Sequence, residues 1–533
     1  MTSVGATGNR NIDALLSGYR WTGAITYSFP DSRSDYESSY TEASATGFGS
    51  VSFNQMQAAR FILEGTSAYS GGPRMGLTAF EQFTSASISD AGFNGADIRI
   101  AKSSSANPTA YAYYPVGDYR AGDIWFGTQY DYGNPQLGSY AYATMVHELG
   151  HALGLKHAHE TGGVSNVSMA SDRDSLEFSV MTYRSYIGQT PNGYTNETYG
   201  FPQTFMMYDI AALQHMYGAN FNTNSGNTIY RWDATTGQAF VNGVSQGAPG
   251  ANRVFLTIWD GGGTDTYDFS NYSTNLQVDL SPGGWSLISD VQRANLGGGN
   301  YARGNVFNAL QYQGDARSLI EGAIGGSGND TILGNAANNS LSGRWGNDVL
   351  KSLDGNDRLN GGPGQDSLYG GKGSDIFYLD SKSEANDIIF DFERGLDQVH
   401  LSSTGFGLTE VGPLSSVGVE FLVGTVAASS APTLLYDSSQ RGLYWDPDGA
   451  GLAGKSLLLT FLSDAPNQPP SAAVSSLMTV GSGWQVAGLG DLNGNGTEDV
   501  LWRNTSTGET AAWMMNFAQP EPLLISSGDL LFA

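Results

Sequence analysis

The chain has 533 residues, enough for two or three domains that each bury a core. Its 51 acidic against 25 basic side chains leave a net charge of −26, which argues against nucleic acid and anionic membrane surfaces as partners. The absence of cysteine excludes disulfides and thiolate metal sites, and 72 glycines, about twice the usual share, call for a region built from turns.

The first residues, MTSVGATGNRNIDALLSGYRW, lack the basic segment and apolar run of a Sec signal peptide. No apolar run approaches the ~18 residues of a membrane span, so no transmembrane helix is expected. Helical periodicity runs through 55–65, 139–154 and 206–218, while 96–101, 109–115 and 122–127 have the pattern of short strands. An α+β domain over 1–245 is the expectation.

Within the second helical stretch lies TMVHELGHALGLKHAHE, residues 144–160. His147 and His151 are four apart and share a helix face; Tyr142, Met145, Val146, Leu149, Ala152 and Leu153 form the other, so both imidazoles are expected to turn away from the core. In a continuous helix His157 would lie about 9 Å beyond His151 and off that face. It reaches the same ion only if the chain turns sharply, and Gly154 tolerates the positive φ that such a turn requires.

Three imidazoles with a fourth position open suit a catalytic zinc, and Glu148, beside the first ligand, can take a proton from zinc-bound water. His159 is left without a role, and Glu160 is expected to be a solvated loop residue. Further on, SVMTY (179–183) sets Met181 24 residues beyond His157.

The extended pattern HELGHALGLKH with SVMTY resembles the serralysins, secreted zinc endopeptidases of the metzincin group. The similarity extends to NIDALLSGYRWTGAITYSFP (11–30), GDIWFG (122–127) and PQTFMMYDIAALQHMYGAN (202–220). The resemblance implies a metzincin-like catalytic domain with one Zn²⁺ on His147, His151 and His157. It implies Met181 beneath the metal in a Met-turn, and Tyr183 as a further ligand that moves to bind the oxyanion. AHETGG (158–163) departs from the Pro-Gly-rich continuation of that family. Protein or peptide substrates would lie extended on an edge strand, with AYAYYP (110–115) the candidate.

After about residue 250 the composition turns to Gly, Asn and Asp with short apolar strands. In steps of nine come Asp330, Asn339, Asp348, Asp357, Asp366 and Asp375, each followed two residues later by Ile332, Leu341, Leu350, Leu359, Leu368 and Phe377. This is the G-G-x-G-x-D-x-U-x repeat of a calcium-binding parallel β-roll, with Asp330, Asp348, Asp357, Asp366 and Asp375 as ligands. GNAANNSLS (334–342) lacks the Asp, and RWGND (344–348) and SLDGND (352–357) lack the leading glycines, so weak or no calcium binding is expected there. Asp260 and Asp265 match further ligands of the serralysin pattern, and Asp446 and Asp448 in DPDGAG are candidates.

An all-β parallel β-roll/sandwich domain is therefore expected over 246–464, held by several structural Ca²⁺ ions. APNQPPSAA (465–473) has linker composition, and a small β-rich segment follows over 474–533. In it DLNGNGTEDVLWRN (491–504) resembles one FG-GAP-like repeat, with Asp491, Asn493, Asn495 and Asp499 spaced as in a calcium loop. The RTX-like repeats and the terminal DLLFA imply export by a type I secretion machinery to the extracellular medium, as a monomer. The alternative is a calcium-dependent adhesion or surface-layer protein with an incidental metal site, which would predict erosion of Glu148 or Tyr183.

Overall fold

In a computed structural model the described residues are 1–65, 77, 79–382, 384, 386–408, 418–450 and 454–462. Beyond these, the backbone strands Ser476–Leu477, Trp484–Gly490, Asp499–Asn504, Thr510–Met514 and Glu521–Ile525 are described. The chain divides into two compact units, Met1–Ser327 and Gly328–Ala533. No helix among the described residues is long and apolar enough to cross a membrane.

The first unit opens with a six-stranded sheet. Its strands are β1 (Ile25–Ser28), β2 (Gly49–Ser50), β3 (Ile88–Asp90), β4 (Ile98–Lys102), β5 (Ala110–Ala112) and β6 (Ile124–Phe126). The order is β3-β1-β4-β6-β5, with β2 on β4; neighbours along the main path are parallel until β5, which runs antiparallel to β6 at the edge. That polarity lets the 113–123 connection return the chain along β6, and no strand among the described residues pairs with the other edge of β5.

Four helices matter for the site: α1 (Thr41–Ser44), α2 (Phe53–Glu64), α3 (Tyr140–Ala152) and α4 (Met207–Tyr217). Ser52 caps α2 through a hydrogen bond from the Gln55 amide, and Gly65 at φ +70 ends it, a pairing of start and stop signals visible in the sequence. Helix α3 starts at Ser139, whose side chain accepts from the Tyr142 amide. It does not have the two-faced character that its sequence suggests: every residue from Ala141 to Ala152 is buried, including His147 and His151. Its polar face is covered from within the same unit, by β5 on one side and by the turn around Met181 on the other.

The unit continues as β-structure in which Ile229–Trp232, Ala239–Val241, Thr266–Asp268 and Gly322–Ile324 share a sheet. Its core includes Trp232, Trp259 and Tyr267, all fully buried.

In the second unit the nonapeptide register becomes geometry. Strands β7 (Thr331–Leu333), β8 (Ser340–Ser342), β9 (Val349–Lys351), β10 (Arg358–Asn360), β11 (Ser367–Tyr369) and β12 (Ile376–Leu379) alternate between two parallel ladders, β7-β9-β11 and β8-β10-β12. One coil therefore takes two repeats. Ile332, Leu341, Leu350, Leu359, Leu368 and Phe377 all point inward and are at most 1% exposed. Each such burial contributes roughly 1.5–3 kcal/mol.

Candidate metal centre and active site

Helix α3 sets His147 one turn before His151, and Gly154 sends the chain back towards them. Gly154 has φ +110, and a Cβ there would come within 2.5 Å of the Tyr19 carbonyl oxygen, so only glycine fits. His157 then meets the other two: one ring nitrogen from each of the three lies within 4.8 Å of the others.

Hydrogen bonds on the far side of each ring decide which nitrogens converge. His147 Nδ1 lies 2.8 Å from the Val180 carbonyl oxygen and His151 Nδ1 2.7 Å from that of Leu155. Carbonyls only accept, so both Nδ1 atoms carry the proton and both Nε2 atoms present lone pairs. His157 Nδ1 faces the Glu160 carboxylate at 3.0 Å, with the same consequence. Burial holds all three imidazoles below their ordinary pKa, so they are neutral. Yet Nε2 of His151 and Nε2 of His157 stand 3.0 Å apart. Two lone pairs at that distance repel unless a cation lies between them, so the donor set fits a zinc ion.

Glu148 is 5% exposed, and its Oε2 has no hydrogen-bond partner among the described residues. Burial pushes its carboxyl up to about 8. The Tyr183 hydroxyl is 2.7 Å from His157 Nε2, and its ring lies parallel to that of His147 at 5.7 Å. Met181 is fully buried under α3, against Gly150: a Cβ at Gly150 would come within 2.6 Å of its Sδ. The glycine between the two helical histidines thus makes room for the methionine.

Two clefts flank the cluster. One, about 780 Å³, is lined by His147, Glu148 and Tyr183 with Tyr130, Tyr140, Tyr194 and Phe201. The other, about 270 Å³, runs along 110–114 and reaches Glu148, His151, His157 and Tyr183. Strand β5, inside the 110–115 stretch, lies at the sheet edge between them.

Glu160 is an exposed loop residue, as its sequence suggests, and its carboxylate also accepts from the third imidazole. His159 stacks on His157 at 5.4 Å and meets Tyr183 at 5.0 Å. Asp209 in α4 had no motif to announce it. Buried completely, it accepts from Ser179 Oγ, the Val180 amide and the Met206 amide at 2.6, 2.7 and 2.9 Å, which ties the Met181 turn to α4.

The calcium candidates fall into separate groups. In the first unit Asp260 accepts from the Tyr230 hydroxyl at 2.6 Å and Asp265 from the Thr228 amide at 2.8 Å. Both carboxyls are pushed up by burial, Asp260 also by Asp265 beside it, and Asp265 Oδ2 has no partner among the described residues.

In the roll, Oδ1 of Asp348, Asp357, Asp366 and Asp375 accepts the amide of the residue 18 positions earlier (Asp330, Asn339, Asp348 and Asp357) at 2.7–2.9 Å. The four Oδ2 atoms are buried without a partner among the described residues. Hard carboxylate oxygens left in this state fit calcium. The carboxylates of Asp348 and Asp357, in repeats without leading glycines, stand as those of Asp366 and Asp375 do. Asp446, at the end of the strand Gly442–Asp446, is buried with Oδ1 unpartnered among the described residues, and Asp448 is half-buried in the turn that follows. The loop 491–498, the linker 465–473 and the terminal DLLFA lie outside the described residues, and of Asp499 only the backbone is described.

Comparison with known proteins follows the same lines. The family described as peptidase M10 serralysin C terminal matches residues 219–412. Metallopeptidase AprA of Pseudomonas marginalis is 35% identical over 344 residues, 63% of this chain and 67% of that protein. The chain belongs to the serralysin family. Serralysin C of Dickeya chrysanthemi is 40% identical over 332 residues in one comparison, which covers 61% of this chain and 63% of the relative. Another Serralysin C of that organism is 36% identical over 231 residues, 42% of this chain and 43% of the relative. The chain thus spans from 43% to 67% of the length of these serralysin relatives.

Proposed function

We propose that this serralysin is a secreted zinc endopeptidase with a metzincin-like catalytic domain over 1–245, a calcium-dependent roll over 246–464 and an accessory β segment over 474–533. The observation that carries the proposal is the 3.0 Å approach of two unprotonated Nε2 atoms beside the buried Glu148, whose Oε2 has no hydrogen-bond partner among the described residues. Family membership supports it.

His147, His151 and His157 would hold the zinc, which when bound supplies a polarised carbonyl and an acidified water. The remaining chemistry belongs to the chain. Glu148 Oε2 takes the proton of the attacking water and passes it to the leaving amine. The Tyr183 hydroxyl, which stands beside the imidazoles of His147 and His157, donates to the oxygen of the tetrahedral intermediate. An extended substrate pairs with the open edge of β5, which fixes the scissile bond beside Glu148. Calcium on the roll aspartates supplies folding free energy at extracellular concentrations, where modules of this type bind at about 10⁻⁴–10⁻³ M. That dependence is compatible with export in an unfolded form by a type I machinery.

Casein hydrolysis tests the reading. It should be abolished by a zinc chelator, restored by Zn²⁺ and lost in Glu148→Ala. Activity that survives Glu148→Ala would overturn the assignment of the base.

A further inference from the structure

We propose that Glu42, remote in sequence from every motif above, is a positioning residue that holds the peptide-binding edge of the site. The inference rests on the peptidase reading and names how substrate of a given length is held.

Strand β5 has three residues and, among the described residues, is hydrogen-bonded to a neighbouring strand on one side only, to β6. A strand that short, with one partner, is poorly fixed by its ladder alone. Its second support comes from side chains. Tyr111 and Tyr113 are two apart and so project from the same face. Both hydroxyls donate to a single atom, Oε1 of Glu42, each at 2.8 Å. Thr41 Oγ1 donates to Oε2 at 2.6 Å. Glu42 is 6% exposed, and three hydroxyl donors are what keep a buried carboxylate ionised: burial pushes its pKa up, and the hydroxyls bring it below the ordinary value.

The anchor is itself packed and hydrogen-bonded. Helix α1, which carries Glu42, packs in an aromatic cluster with Tyr36, Tyr40 and Trp125 of β6. The Ser103 hydroxyl donates to the Glu42 carbonyl at 2.7 Å.

Backbone alternation shows what is being held. The Tyr113 amide donates to the Asp123 carbonyl at 3.0 Å, and the Tyr113 carbonyl accepts from the Gly122 amide at 3.2 Å. Tyr111 pairs with Trp125 in the same ladder. In an antiparallel pair the residue between them turns its N–H and C=O to the opposite side. Ala112 therefore offers its backbone to the open edge, along the cleft that reaches Glu148 and His157. The two tyrosines bracket Ala112, and one carboxylate fixes both.

The test uses the full chain, loaded with zinc and calcium, as Glu42→Ala, Glu42→Gln and the Tyr111→Phe/Tyr113→Phe double variant. Two substrates are compared: a peptide long enough to run past Ala112, and a minimal one that stops short of it. Glu42→Ala and the double variant should raise KM for the long peptide about tenfold, with kcat within about twofold, and leave KM for the minimal peptide unchanged. Glu42→Gln, whose amide oxygen still accepts from both hydroxyls, should recover most of the loss. Without substrate, amide exchange over 110–114 should accelerate in Glu42→Ala and in the double variant. Equal effects on both peptides, a fall in kcat at constant KM, or unchanged exchange over 110–114 would overturn the proposal. If the unmodified protein cleaves neither peptide, the peptidase reading fails, while the exchange measurement still decides whether Glu42 holds the strand. The double variant keeps the test open should Glu42→Ala not fold.

Discussion

His151 and His157 face each other through Nε2 atoms 3.0 Å apart, although each ring's Nδ1 faces an oxygen acceptor. Removal of the ion should therefore leave a repulsive contact. Chelation is expected to lower the melting temperature of the first unit and to broaden the imidazole NMR signals, with both changes reversed by one equivalent of Zn²⁺. A melting curve indifferent to chelator would contradict this account.

Glu160 accepts from His157, the proposed third ligand. Glu160→Gln replaces a charged acceptor with a neutral one at His157 Nδ1, and changes at such positions cost about 10–100-fold in metal affinity. Because Glu160 is half exposed, the lower end of that range is expected. Competition against a chromophoric chelator measures it, and an unchanged dissociation constant would remove Glu160 from the site.

Gly150 and Met181 are matched in size. Gly150→Ala would drive a methyl group to 2.6 Å from Sδ, in a region where both residues are buried. Overpacking of this kind costs about 1–3 kcal/mol, whereas Met181→Leu, close in volume, should cost less than about 1.5. Urea unfolding gives both values; a larger loss for Met181→Leu than for Gly150→Ala would reverse the argument.

The roll should show an inverted pH response without calcium. Burial pushes Asp348 up to about 8 and Asp375 up to about 7, above the ordinary carboxylate value of 3.8. The folded state then binds protons more tightly than the unfolded one. Its stability is fully present below about pH 4 and is lost as pH rises through 7 and 8. Calcium-free protein should melt higher at pH 5 than at pH 8, and saturating calcium should abolish or reverse the order. Circular dichroism melts at both pH values decide it.

Two parts of the molecule could be read in advance, for different reasons. The histidine spacing and Gly154 are local: helix geometry and one positive φ suffice to choose three of four histidines. The nine-residue period is repetitive, so six apolar positions from Ile332 to Phe377 reinforce one register. What covers the polar face of α3 was not legible, because a helical period says nothing about the strand and turn that pack on it. For the same reason the sequence does not reveal the bond of Glu160 to His157 or those of Asp209 to the Met181 turn. Each acts on a single backbone or imidazole group, and such pairings leave no pattern in a single sequence. The roles of Glu42, Tyr111 and Tyr113 depend on residues about seventy positions apart, beyond the reach of any local signal.

The aspartate ladder of the roll has a direction. Oδ1 of Asp348, Asp357, Asp366 and Asp375 each accepts an amide from the coil before it, as the pairs Asp330–Asp348 and Asp348–Asp366 illustrate. The amides of Asp330, Asn339, Asp348 and Asp357 are thus satisfied only when the next 18 residues have wound into place, whereas amides such as those of Val349 and Ser367 donate back to the coil before. Cooperativity in such a stack passes between nearest neighbours. A lesion at Asp366 should unfasten the coils on either side and spare those further away, so damage to the roll would spread like a slipped stitch and not like a melted core.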